Sequence, residues 1–134
     1  MQRIIKFRAW DTAHKKMFSP YEMGQDELQL NPDGRGFFNA SSLSPKLSQY
    51  YPHMIPLQYT GLKDKNGAEG YYTDILNASF QDNWVVDWDE DEGNYYLRSL
   101  LGYDPLPLRK MKDMVIIGNI WENHELLEAK EYDK

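Results

Sequence analysis

The chain has 134 residues, no cysteine, 41% hydrophobic and 14% aromatic residues, and a net charge of −6. That length suits one compact domain with a core of its own, and the composition excludes a disordered chain, a disulfide scaffold and any thiolate chemistry. The acidic balance makes nucleic acid an unlikely partner, although residues 1–16 carry five cations against Asp11 alone.

Ten Tyr and four Trp favour pleated, half-buried surfaces and so a β-rich fold. The opening segment MQRIIKFRAWD lacks the apolar core of a secretory leader, and no run approaches about 18 apolar residues. The expected setting is therefore the cytoplasm, with no membrane contact. Residues 4–10 alternate, Ile5, Phe7 and Ala9 facing one way and Ile4, Lys6, Arg8 and Trp10 the other, which predicts a strand. DTAHKK then turns, and Met17-Phe18 begins a return strand.

From Ser19 to Pro56 the alternation breaks. Five prolines and the runs NPDGRG and SSLSPKLS mark turns. The segment is long for a structureless loop, which predicts short helical turns or strands of its own. Strand character resumes at PLQYTGL. Asn66-Gly67 in KDKNG predicts a type I′ hairpin turn with positive φ at both residues, and Gly61 a bulge. Lys63, Asp64 and Lys65 are expected on the exposed side of this loop. The loop is either a turn that builds the fold or a surface that meets a partner.

NWVVDWDEDEGNYYLRSL reads as a second hairpin with an acidic tip, and DMVIIGNIW as a buried strand. NHELLEAKEY reads as a short helix, with Asn123 as its N-cap. Several short strands at close spacing and one terminal helix predict a small barrel.

Chemistry is hard to place. His14, His53 and His124 are scattered, none with a partner four residues on, and read as surface histidines. An EF-hand register starting at Asp87 fails at Glu92, where glycine is required, and at Arg98, where glutamate is required. The five acids among residues 87–92 therefore read as a solvated hairpin tip. No nucleophile elbow, phosphate loop or dinucleotide fingerprint is present. The expectation is a non-enzymatic protein with no catalytic residues, no metal and no cofactor.

KFRAWD at Lys6–Asp11, KKMF at Lys15–Phe18, LQYTGLKDKNG at Leu57–Gly67, Asp74-Ile75 and VIIGNIWENHELLE at Val115–Glu128 together resemble the YopX family, which is carried by bacteriophages and prophages. The resemblance spans nearly the whole chain. It implies a mainly β protein with a small SH3-like barrel in the C-terminal part, and no established enzymatic activity. The organisation that follows is an N-terminal hairpin and irregular, variable segment over 1–56 and a barrel with a C-terminal helix over 57–134, together one compact unit. Two positions depart from the family pattern. Thr73 stands where members have Gly, so it must take β geometry or distort the strand entry. His124 stands where members have Pro, which leaves the helix start less preorganised.

The expected function is protein interaction, with an unidentified host or phage protein in the bacterial cytoplasm. A small nucleic-acid-binding barrel is the alternative. The candidate contact loop is Thr60, Gly61, Lys63, Asp64, Lys65, Asn66 and Gly67. The candidate aromatic cluster is Tyr50, Tyr51, Tyr59, Tyr71 and Tyr72, since one small core cannot bury every Tyr and Trp; self-association into a homo-oligomer is a further expectation for that cluster.

Overall fold

The computed structural model describes residues 3–39, 49–51, 53–78 and 82–128, and of Gln49 and Tyr50 the backbone alone. The protein is mainly β, with twelve strands among the described residues. The chain divides into two compact units, one of residues 5–58 and one of residues 1–4 with 59–134.

In the unit of residues 5–58, strand β1 (Phe7–Asp11) pairs antiparallel with β2 (Lys16–Phe18) through the expected hairpin, Asp11 opposite Lys16. On its other side β1 pairs with the first half of a long strand, β6 (Met54–Lys63), Ala9 lying opposite Pro56. The segment expected to carry structure of its own does so. Helix α1 (Pro20–Gln25) starts at a complete capping box: Glu22 N–H donates to Ser19 Oγ at 3.1 Å, and Ser19 N–H donates to Glu22 Oε1 at 3.1 Å. Ser-Pro-Tyr-Glu is the sequence signature of that start, with Pro at the first helical position. Strands β3 (Leu28–Leu30), β4 (Phe37–Asn39) and β5 (Gln49–Tyr51) follow as a three-stranded antiparallel sheet. Ala9, Met23, Phe37 and Met54 form the buried core of this unit, flanked by Phe7, Phe18, Leu28, Leu30 and Tyr51.

In the other unit, the second half of β6 pairs with β7 (Glu69–Tyr71), and β8 (Asp74–Asn77) follows. β8 lies between β9 (Asn83–Asp89) and β12 (Val115–Asn119) in a five-stranded antiparallel sheet whose far edge is β10 (Asn94–Ser99) and β11 (Leu106–Pro107). The β9–β10 hairpin is the one expected from sequence, Trp88 opposite Tyr95. Leu76, Trp84, Val86, Leu97, Met111 and Met114 pack into its core. Burying such side chains supplies about 1.5–3 kcal/mol each relative to exposure, which favours packing the sheet over Met111 and Met114.

The end of the chain differs from expectation. His124–Leu127 is one turn of 3-10 helix, and Asn123 makes no side-chain cap for it. Its Oδ1 instead accepts the N–H of Asn119 at 3.1 Å. Asn119 Oδ1 in turn accepts the N–H groups of Trp121 and Glu122, at 3.0 and 2.9 Å. Asn119 and Asn123 thus spend their acceptors on a tight turn, in place of capping a helix. Gly118 belongs to the same device, because a Cβ there would overlap the Asn123 amide. Among the described residues, no helix is long and apolar enough to cross a membrane.

Candidate functional site

The loop at residues 60–67 is a structural device. Asp64 is buried, contrary to the expected exposure. Its Oδ1 accepts the N–H groups of Asn66 and Ala68, at 2.8 and 2.9 Å, and its Oδ2 accepts the N–H of Ile116 on β12 at 2.9 Å. Lys65 N–H donates to Met114 O at 2.8 Å, so the loop is laced to the strand it faces. Burial would raise the Asp64 carboxyl, but the amides of Ile116, Ala68, Asn66 and Gly67 outweigh it and hold the group below its ordinary value.

Gly67 has the expected positive φ of 84°, whereas Asn66 does not share it. The turn is bonded from Gly67 N–H to Asp64 O at 3.1 Å, so Lys65 and Asn66 are its central residues. This corrects the type I′ reading: Asp64 at the first position favours the common turn, and Gly67 supplies the left-handed residue after it. Gly61 is at φ 88°, inside the register shift between Tyr59 and Lys63, as a bulge requires. Thr60 Oγ1 donates to Gly70 O at 2.8 Å. The loop leaves Gly61, Leu62, Lys63, Lys65, Asn66 and Gly67 exposed.

The expected surface cluster of tyrosines is corrected at Tyr59 and Tyr71. Tyr59 and Tyr71 are buried, with ring centroids 5.5 Å apart, because they face each other across the β6–β7 pair. Tyr51 is half-buried beside His53 in the other unit, and the side chain of Tyr50 lies outside the described residues. Tyr72 does join an accessible aromatic group. Its ring centroid is 5.8 Å from Tyr95, and Tyr95 meets Trp88 edge-on at 4.8 Å. Burial, with the Asp87 charge second, raises the Tyr72 hydroxyl; burial, with Tyr72 second, raises that of Tyr95.

Trp88 is 43% exposed at the end of β9. Alternation groups Trp84, Val86 and Trp88 on one face, and the structure buries the first two and leaves the third beyond the core. Trp88, Asp89, Glu90, Tyr96, Pro105, Leu106 and Pro107 line a groove of about 430 Å³. The hairpin tip beside it behaves as a solvated turn. Asp89 Oδ1 accepts the N–H groups of Asp91 and Glu92, at 2.9 and 3.2 Å, and Arg98 Nε donates to Asp87 Oδ2 at 2.9 Å. Glu90, Asp91 and Glu92 point into solvent with no cation beside them among the described residues.

In the unit of residues 5–58, two of the three histidines expected to be scattered, His14 and His53, are brought together, while His124 is exposed in the other unit. His14 Nδ1 lies 2.8 Å from Asp11 Oδ2, and His53 Nε2 lies 3.4 Å from Asp11 Oδ1. The two rings are edge-on with centroids 6.3 Å apart. Asp11 is buried at the end of β1, and its Oδ1 also accepts the N–H groups of Ala13 and His14, at 2.9 and 3.1 Å, which fixes the hairpin turn. Burial would raise its carboxyl, but the His14 ring and the two amides outweigh that and lower it. The cluster opens on a cleft of about 770 Å³ whose walls include Lys16, Glu27, Tyr51 and Met54. The i,i+3 spacing of Asp11 and His14 on a tight turn was the available signal. His53 carried none, because only the β1–β6 pairing brings it there.

The crystal structure of protein EF1440 from Enterococcus faecalis is similar to this chain, with a TM-score of 0.61 and 28% identity over 95% of this chain and 100% of that one. No curated protein matches. The family described as YopX protein matches residues 6–128. That span takes in the Asp11 turn, the Asp64 loop and the Gly118–Asn123 turn alike, and the chain belongs to the YopX family.

Proposed function

We propose that the protein is a non-enzymatic interaction module of phage or prophage origin, its larger unit an SH3-like barrel, that captures a basic segment of a partner protein in the bacterial cytoplasm. The observation that carries this reading is the exposed Trp88 set among the acids of residues 87–92. An indole face attracts Lys or Arg by cation–π interaction, worth about 0.5–2 kcal/mol, and is a frequent binding anchor. Tyr95 and Tyr72 stiffen it from behind, and Pro105 and Pro107 wall the groove without flexible side chains. The carboxylates add long-range attraction for a cationic chain and repel nucleic acid.

Fluorescence anisotropy with labelled Lys/Arg-rich, neutral and acidic peptides of equal length tests the reading. The basic peptides alone should saturate the protein, and Trp88→Ala should weaken them by about tenfold, the effect of losing roughly 1.4 kcal/mol. Equal affinity for all three peptide classes, or unchanged affinity in Trp88→Ala, defeats it.

A further inference from the structure

We propose that Asp11, His14 and His53 form a binding site for a divalent transition-metal ion. The three donor atoms, one from each residue, lie within 4.8 Å of one another. Metal–ligand bonds of about 2.0–2.2 Å place neighbouring donors roughly 3–3.5 Å apart, so a small inward rotation of the two rings brings the donors to binding distance. Two imidazole nitrogens and one carboxylate on one side of a centre leave the other side open. That open side faces the cleft, where water or a small anionic ligand can complete the coordination.

The site is held in place before any ion arrives. Thr12 N–H and Thr12 Oγ1 both donate to His53 O, at 3.1 and 3.0 Å, which fixes the His53 backbone against the β1–β2 turn. The Ala13 and His14 amides fix the Asp11 carboxylate. His14 is 75% and His53 35% exposed, so both rings can turn without disturbing the core. The alternative is that Asp11 only ties the turn and hydrogen-bonds the two rings. That reading accounts for His14 at 2.8 Å. It leaves His53 Nε2 3.4 Å from a carboxylate oxygen that already accepts two amides. A nitrogen-rich donor set selects Zn²⁺, Co²⁺, Ni²⁺ or Fe²⁺ over Mg²⁺ and Ca²⁺, which want oxygen. The carboxylates of Asp26 and Glu27 on the cleft wall add attraction for a cation.

Titration of the full chain with Co²⁺, read by its visible absorption and by calorimetry, tests the site, with Zn²⁺ and Mg²⁺ as competitors. One Co²⁺ per chain should bind, Zn²⁺ should displace it, and equimolar Mg²⁺ should not. His14→Ala and His53→Ala should each weaken binding by about tenfold or more, and His124→Ala should leave it unchanged. Melting curves give a second readout: Zn²⁺ should raise the midpoint of the parent chain and not that of the His14→Ala, His53→Ala pair. The proposal is overturned if the folded parent chain binds no Co²⁺ saturably, if Mg²⁺ competes equally, or if the His14 and His53 variants bind as the parent does. Loss of binding on replacing Glu90, Asp91 and Glu92 with Gln, with His14 and His53 intact, overturns it as well, by placing the ion at the acidic tip.

Discussion

Trp121 Nε1 donates to Thr73 Oγ1 at 3.1 Å, and Thr73 is held at φ 75°. A β-branched residue in the left-handed region is strained by about 1–3 kcal/mol and persists only where its surroundings over-determine it. Here Thr73 N–H donates to Val86 O at 2.9 Å, and Ile120 N–H donates to Thr73 O at 3.1 Å. Those bonds and the indole fix the geometry that glycine would adopt without strain.

Thr73→Val keeps the shape and the strain and deletes the indole's acceptor. Thr73→Gly deletes the acceptor and relieves the strain. We therefore expect Thr73→Val to lose about 1–2 kcal/mol and Thr73→Gly to be the more stable of the two variants. Urea midpoints of the three proteins check the order; a Val variant as stable as the Gly variant contradicts it.

Asp64 makes stability depend on pH in a definite direction. Its folded carboxyl is held below the unfolded value. A depressed acid contributes stability that is present above the unfolded pKa, about 4, and is lost as pH falls through the folded value. The parent chain should therefore weaken as pH drops below about 4, and Asp64→Asn should weaken less steeply over that range. At neutral pH, Asp64→Ala should cost on the order of 2–4 kcal/mol, since it strands the Asn66, Ala68 and Ile116 amides. Parallel stability–pH profiles for the parent and Asp64→Asn would remove Asp64 from this role.

Phe7–Asp11 and the Trp84–Ser99 hairpin were legible as strands from their sequence alternation and their aromatic and β-branched content. Burial itself does not alternate there, since Ala9, Trp10 and Asp11 are all buried, and so are Trp84, Val85 and Val86. Gly61 and Gly67 were legible for a different reason: only glycine takes positive φ cheaply. The side-chain destinations of Asp64, Tyr59 and Tyr71 were not legible, because a carboxylate in a turn reads the same whether it faces water or the amide of Ile116, 52 residues on. The Asp11–His14–His53 cluster was hidden in the same way, since its third member arrives by strand pairing. Asn123 reads as a helix cap and Asn119 as part of a strand, yet both serve a turn, because Asn satisfies turn and helix backbone donors equally well.

Gly67 separates backbone strain from packing. Nothing lies within 4 Å of a Cβ placed there, and its φ is 84°. Gly67→Val should therefore cost about 1–3 kcal/mol through conformation alone. At Gly70 the cause reverses, because a Cβ would overlap the buried Sδ of Met111. Trimming the buried Met111 to Ala is itself destabilising, but it should cost less in a Gly70→Ala background than in the parent, and as much as in the parent in a Gly67→Val background. Urea unfolding of the parent, the single and the double variants measures the two couplings, and equal couplings would contradict the assignment.

Charge at the hairpin tip decides between a basic peptide and nucleic acid as partner. Residues 1–16 carry a net +4, but the chain as a whole is at −6, and the exposed acids beside Trp88 would face any phosphate backbone that approached the groove. Phosphate contacts release counterions and weaken steeply with salt, so a few scattered cations cannot hold nucleic acid at about 150 mM salt. The parent chain should show no sub-micromolar affinity for single- or double-stranded DNA or RNA under those conditions. The triple reversal Glu90→Lys, Asp91→Lys and Glu92→Lys should abolish basic-peptide capture and confer salt-sensitive DNA binding, since the aromatic group beside the tip can stack on bases once the repulsion is gone. The three side chains lie in solvent, so the variant should melt close to the parent. Tight DNA binding by the parent, or a reversed variant that still prefers the basic peptide, would place recognition elsewhere on the chain.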